Sequence, residues 1–311
     1  MADPLITVAM SVYNAASTVE LAIRSIQYQS LDDWELVVID DGSVDQTRQI
    51  IARVQDSRIR FIQEPHGNLG LAARLNQCVR LARGRYVARM DGDDVAYSQR
   101  LSRQVQYLEQ HPEVDLLGSG AVIFKKEGDV VGLYPTACDH EEICRCPWWG
   151  FPLAHPTWMG RREWFISHSY REGCERGQDQ ELLLRSFSCS KFAALEEVLL
   201  GYRMDNISAK KAGQGRLNYC RQLVAQACDV PSALMAVRGV LIHSLALGRD
   251  VLLDVTGSMG QRSRESFRPA NDKVRMHWQQ VWSRLTSKDT ATSSLPSHGL
   301  IIKVLLIFVL I

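Results

Sequence analysis

The stretch Arg89-Met90-Asp91-Gly92-Asp93-Asp94 decides how this chain is read. It follows Gly84-Arg85-Tyr86-Val87-Ala88, a short run with the character of a buried strand entered through a glycine. Carboxylates crowded at a strand end repel one another and cannot sit in a core unpaired. A divalent cation relieves that repulsion. Hard oxygen ligands suit Mg²⁺ or Mn²⁺, and those ions hold phosphate oxygens in turn. The motif points to a metal-bound diphosphate at the carboxyl end of a sheet strand, where open α/β sheets place their ligands. The plainer alternative is a solvated acidic turn, since Asp and Gly are common in loops.

Working outward, Leu5 to Val12 is a continuous apolar run of the length of a strand buried on both faces, and Tyr13-Asn14 ends it. Ser17 or Thr18 can cap a helix that places Val19, Ala22, Ile23 and Ile26 on one face. Trp34 to Ile39 is a second strand, ending in Asp40-Asp41-Gly42-Ser43, and Arg58 to Ile62 a third. After Asn68-Leu69-Gly70-Leu71 a helix carries Leu71, Leu75, Cys78, Val79 and Ala82 inward, and the fourth strand runs into Asp91. This alternation predicts an α/β fold with a mostly parallel sheet and right-handed crossovers. Neither G-x-G-x-x-G nor G-x-x-x-x-G-K-S/T follows the first strand, which argues against NAD enzymes and P-loop NTPases.

Further on, the pattern predicts a helix from Tyr97, strands over 114–124 and 130–134, a strand at His155 to Met159, a helix over 179–187 and a strand over 192–202. Beyond about residue 213 the chain reads as helical, with helices over 217–228 and 232–247. Residues 254–271 read as a linker, and 272–285 as an amphipathic helix with Val274, Trp278, Val281, Trp282 and Leu285 on one side.

Composition narrows the class. A length of 311 residues holds one large domain or two small ones, and 46% hydrophobic with 23% charged content is that of a globular protein. A net charge of +1 lacks the basic footprint of a nucleic-acid partner. The N-terminal residues do not read as a secretory signal, so the eight scattered cysteines are expected to be reduced thiols in the cytoplasm. Gly299 to Ile311 is strongly apolar yet shorter than the ~20 residues that span a bilayer. It is read as a peripheral membrane contact at the inner face, with packing on the body as the alternative.

The chain resembles family 2 glycosyltransferases of the GT-A fold. The match is carried by Pro4 to Asn14, Val38-Ile-Asp-Asp-Gly-Ser43, Asn68 to Asn76 with Gly84 to Val87, and Met90-Asp-Gly-Asp-Asp94. Arg100, Gln104, His155-Pro-Thr157 and Asp179 fit as well, so the resemblance covers roughly residues 4–210. It implies a GT-A domain over 1–212, with a nucleotide-sugar half (1–95) and an acceptor half (96–212), followed by a helical extension (213–253). It also implies the roles. Tyr13, Asp40, Asp41, Arg74 and Asp91 would hold the donor, and Asp91 and Asp93 the Mg²⁺ or Mn²⁺ ion. Asp179 would be the catalytic base. His155, Arg161, Arg162 and Arg203 are candidates for acceptor or diphosphate contacts, with a structural histidine at 155 and a solvated turn at 161–162 as the alternatives. The implied activity is inverting transfer of a sugar from a nucleoside diphosphate, a UDP-sugar favoured, to a glycan or lipid-linked acceptor in cell-surface polysaccharide synthesis.

The chain departs from the family pattern at Gln178, where Glu is usual, and at Asp205, where His is frequent. Gln178 keeps open a catalytically impaired relative acting as a binding subunit. A nucleotidyltransferase is a further alternative, although Val12 to Ala16 lacks the Gly-rich, basic loop of that class. Three smaller features have plain alternatives. Cys138, His140, Cys144 and Cys146 are spaced poorly for zinc. Trp148-Trp149 is read as core packing before sugar stacking. Trp278 and Trp282 serve either packing or anchoring at a membrane interface.

Overall fold

The computed structural model describes residues 3–64, 67–174, 176–205, 209–256 and 267–287. The first half alternates as the apolar runs predict: β1 (Ile6–Val12), α1 (Val19–Gln27), β2 (Trp34–Asp40), α2 (Thr47–Ala52), β3 (Ile59–Gln63), α3 (Leu71–Leu81) and β4 (Tyr86–Asp91). These strands are parallel neighbours in the order β3-β2-β1-β4. Their faces bury Val8, Met10, Leu36, Val38 and Ala88 against α1, and Ala9, Val37, Ile39 and Val87 against α3. Each fully buried aliphatic side chain is worth about 1.5–3 kcal/mol, so the layered core dominates the sheet's stability. Thr18 does not cap α1 with its side chain; its hydroxyl donates instead to the carbonyl oxygens of Gly92 (2.9 Å) and Ala15 (3.3 Å).

The second half follows as β5 (Val95–Ala96), α4 (Arg100–Gln110), β6 (Leu116–Phe124), β7 (Val130–Leu133), α5 (His140–Ile143), β8 (Met159–Arg161), α6 (Arg162–Ser167), α7 (Gln178–Ser186) and β9 (Phe192–Arg203). The sheet continues β4-β8-β6-β9-β5, with β7 beside β6. Here it is mixed rather than mostly parallel: β6–β9 is parallel, while β4–β8, β6–β8, β5–β9 and β6–β7 are antiparallel. The strand expected at 155–159 is a 3₁₀ turn over His155–Thr157 followed by β8. Pro156 has no N–H for a ladder, and the Thr157 hydroxyl closes the turn by donating to Ala154 O at 2.7 Å.

Two helices, α8 (Ala209–Ala225) and α9 (Val230–Val255), pack against each other beyond the sheet. The start of α9 is set by a capping box between Asp229 and Ser232, with Pro231 in the first turn. α9 runs through the beginning of the expected linker; residues 257–266 lie outside the described residues, and Arg268 rejoins the body by bridging Leu133. The last described helix, α10 (Asp272–Thr286), settles the alternatives for its tryptophans as packing. Trp278 is fully buried on Phe124 (4.6 Å between ring centres), and its Nε1 donates to Gly128 O at 2.7 Å. Glycine is required beneath it, since a Cβ on Gly201 would lie 2.2 Å from the indole. The apolar segment 299–311 lies outside the described residues.

Candidate active site

Parallel pairing brings the strand ends together. Val12 is opposite Asp40, and Ser11 opposite Asp91, so Tyr13, Asp40, Asp41 and the acidic turn gather along one edge. Asn14 takes a left-handed conformation (φ 50°), which asparagine tolerates. Its side chain accepts from Val44 N and its own N–H donates to Ser43 Oγ, which lashes the two loops together. Tyr13 is left 50% exposed as an open ring face beside them.

Asp40, Asp41 and Arg74 are placed here, but they are engaged with the protein itself. Asp40 is buried and takes Arg48 Nε at 2.6 Å. Asp41 accepts Arg74 Nε at 2.6 Å and the N–H groups of Leu69 and Gly70 at 2.9 Å each. Buried carboxylates need such partners. Their direct effect is to shape the loop over 67–70, which approaches so closely that a Cβ on Gly42 would meet Gly67 C at 3.0 Å.

At the acidic turn, ligand oxygens of Asp91, Asp93 and Asp94 lie within 4.8 Å of one another, with Asp93 exposed and Asp94 fully buried. Desolvation by the surrounding protein, then the Asp91 charge, push the Asp93 carboxyl up to about 6, even though the residue reaches solvent. One buried Asp94 oxygen has no hydrogen-bond partner, while the other accepts Arg203 N at 2.8 Å. Crowded, underpartnered hard oxygens fit a divalent cation. Arg203 belongs to this turn, since its Nε donates to Asp93 O at 2.9 Å.

Arg161 and Arg162 do not. β8 runs antiparallel to β4, with Met159 opposite Ala88 and Arg161 opposite Tyr86, so the chain heads away from Asp91. Arg161 donates to Tyr86 Oη, Leu108 O and Pro112 O, and Arg162 lies in a groove with Asp3, Arg83 and Gly84. Strand direction thus sets Arg161 and Arg162 apart from the acidic turn and speaks for the plainer alternative at these two positions. His155 is buried and bonded to Tyr170 Oη at 2.8 Å; burial, and then the Arg89 charge, keep it neutral.

Asp179 is the second residue of α7, whose start is set by Gly177 in the left-handed region (φ 76°). Its carboxylate faces a cavity of about 610 Å³. Tyr134, Trp149, Phe151 and Tyr219 line that cavity, with Arg216 and His243. A helix start favours a carboxylate, yet the Asp179 carboxyl is raised from its ordinary value; burial outweighs the Gln180 N–H and the Arg89 charge. Trp149, read above as core, is a cavity wall, 51% exposed and stacked on His243. Trp148 instead lies under the Arg238 guanidinium (3.9 Å). His140 contacts Cys144 at 3.7 Å, but the cysteine-histidine grouping does not assemble as a metal site among the described residues.

One residue was quoted above without a role. Arg89 Nη2 pairs with Asp91 Oδ1 at 2.6 Å, and its buried Nε and Nη1 have no partner. Its charge acts on Asp91, Asp94, His155, Tyr170 and Asp179, so it couples the acidic turn electrostatically to the carboxylate on the cavity. A lone arginine inside an apolar strand was the available signal, because a buried charge demands a partner.

The fold supplies an acidic turn at parallel strand ends and a carboxylate on an aromatic-walled cavity, the elements of a transferase acting on a phosphate-bearing donor. The family model described as Glycosyl transferase family 2 matches residues 7–169. The chain belongs to that family and is a glycosyltransferase. EpsE of Bacillus subtilis, whose name gives it as a glycosyltransferase, is 35% identical over 218 residues, 67% of this chain and 76% of EpsE. WbnJ of Escherichia coli, named an O-antigen biosynthesis glycosyltransferase, is 29% identical over 216 residues, 67% of this chain and 83% of WbnJ. Among solved structures, Staphylococcus aureus TarS 1–349 in complex with UDP-GlcNAc matches with a TM-score of 0.58 at 16% identity, over 92% of this chain and 79% of that one. The mannosyltransferase PcManGT from Pyrobaculum calidifontis, in complex with GDP-Man and Mn²⁺, gives 0.55 at 16% identity, over 92% and 86%. At such identities the likeness is one of fold, and it is the GT-A fold.

Proposed function

We propose that the protein transfers a sugar from a nucleoside diphosphate, a UDP-sugar in the first instance, to a hydroxyl of a glycan or lipid-linked acceptor, with inversion. The observation that carries this reading is the Asp179 carboxylate on a roughly 610 Å³ aromatic cavity, in a fold that gathers Asp91, Asp93 and Asp94 at the parallel strand ends. Tyr13 offers a ring face to the base, and the loop held by Asp41 and Arg74 borders the ribose. A divalent cation held by Asp91 and Asp93, Mg²⁺ or Mn²⁺, would supply counter-charge to the leaving diphosphate. Arg203 stands beside the same turn. Asp179 takes the proton of the acceptor hydroxyl as its oxygen attacks the anomeric carbon. The bond to the diphosphate breaks on the opposite face, and the diphosphate leaves with the electron pair. Trp149 and Tyr219 offer apolar faces to the acceptor sugar.

We infer that this chemistry serves cell-surface polysaccharide synthesis, which the O-antigen biosynthesis name of WbnJ supports, and that it takes place at the cytoplasmic face of a membrane. The GDP-Man and Mn²⁺ held by one fold neighbour and the UDP-GlcNAc held by another support both the metal and the donor class. A screen of nucleotide-sugars for hydrolysis with Mg²⁺ or Mn²⁺ tests the reading. Metal-dependent release of one nucleoside diphosphate supports it. Binding of UDP without turnover of any donor would favour the impaired binding subunit.

A further inference from the structure

α9 has two opposite faces. Inward, Ala236, Gly239, His243, Ala246 and Asp250 recur at spacings of three and four and pack on the body. Outward, Leu234, Val237, Leu241, Leu245, Leu252 and Val255 recur at spacings of three, four or seven and face solvent, Leu245 at 78% and Leu234 at 66% exposure. Such an apolar stripe on a helix of 26 residues, roughly 39 Å long, is not explained by packing within the described residues.

The charges say what covers it. From Val230 to Arg249 the helix has no acidic residue. Its two acids are Asp250, buried against Arg216, and Asp254 in the last turn. Arg238 and Arg249 lie along the border of the exposed stripe, Arg249 at 57% exposure. A second copy of this face would set arginines opposite leucines and arginines, with no facing carboxylate. Anionic lipid phosphates would pair with them while the leucines enter the acyl boundary, as for helices lying in a membrane interface. The helix is long and apolar enough to cross a bilayer. Crossing would strand the His243 and Arg216–Asp250 polar contacts of its inner face in hydrocarbon.

We propose that α9 docks the protein on an anionic lipid surface, lying in the interface with Leu234, Leu241, Leu245 and Leu252 toward the acyl chains and Arg238 and Arg249 toward the headgroups. The inner face of the same helix walls the acceptor cavity through His243, and Arg216 of α8 joins it. Docking therefore brings the cavity to within about one helix diameter, ~10 Å, of the headgroups. The inference needs neither donor nor acceptor, so it stands or falls apart from the sugar-transfer reading.

The test is flotation of the full chain with vesicles of phosphatidylcholine alone, or with phosphatidylglycerol added. The expected result is binding to the anionic vesicles that weakens with salt. Leu241→Glu with Leu245→Glu should cut the bound fraction at least about tenfold, since both side chains leave the lipid. Arg238→Gln with Arg249→Gln should erase the preference for anionic lipid. UDP affinity with Mn²⁺, and helix content by circular dichroism, show that the variants remain folded. Wild-type protein that ignores anionic vesicles, or a leucine variant that floats unchanged, overturns the proposal. So does a dimer seen by ultracentrifugation that the leucine variant dissociates without any vesicle binding, which would make the occupant a second copy. Loss of binding on deleting residues 296–311, with the α9 variant still bound, would assign the contact to the tail alone.

Discussion

Arg89 and Asp91 share one face of β4, and the guanidinium lies 2.6 Å from the carboxylate on a side chain only 4% exposed. The pair ties the acidic turn to the charge that reaches Asp179. Arg89→Met should therefore act at both ends. Mn²⁺ affinity measured without nucleotide rises roughly tenfold, because a competing cation is gone. The acid limb of kcat/KM moves to higher pH, because Arg89 holds the Asp179 carboxyl down and its loss lets that carboxyl rise. An unmoved limb would separate Arg89 from the base.

Asp179→Asn keeps the volume and removes the basic oxygen. The expected loss in kcat is roughly 10²–10⁴-fold, with UDP affinity nearly unchanged. In the parent, activity falls as pH drops through the raised carboxyl, since the base must be ionised. The residual activity of the variant should lack that limb. Weakened UDP binding with turnover spared would move Asp179 to the donor shell.

Asp93→Ala removes the exposed carboxylate of the acidic turn. Calorimetric titration of UDP should lose most of its Mn²⁺ dependence, and turnover should largely vanish. Near-normal turnover without added metal would show that the turn does not serve an ion.

Glu35 is buried at the opposite end of β2, where it accepts from Thr7 Oγ1, from Arg83 N and from the Arg60 and Arg83 side chains. Burial raises its carboxyl, but those bonds outweigh it and the net shift is downward from 4.5. A lowered carboxyl stabilises the fold above its unfolded value, and that contribution is lost as pH falls through the folded value. Glu35→Gln should cost about 1–3 kcal/mol in urea unfolding at neutral pH, with the gap closing in strong acid.

Trp278→Ala should cost about 3–5 kcal/mol by emptying the space over Gly201. It should expose α10 to limited proteolysis while leaving UDP affinity and vesicle binding unchanged. Reduced vesicle binding would restore the interfacial role for that tryptophan.

How much was legible follows from the range of each interaction. The sequence alone determined β1 to β4, the helices between them and the acids at their ends, because apolar period and strand-end chemistry are local properties. It also determined the family, through motifs kept in order over the first two-thirds of the chain. Only the tertiary structure decided what pairing over long separations controls. The reversed direction of β8 carries Arg161 and Arg162 away from the acidic turn. The need to neutralise buried carboxylates turned Asp41 and Arg74 toward each other. Burial, stronger than the helix terminus, raised Asp179. Packing drew Trp278 inward and left the leucines of α9 in solvent. An amphipathic pattern records that a helix has an apolar face, whereas the rest of the fold determines which way that face points.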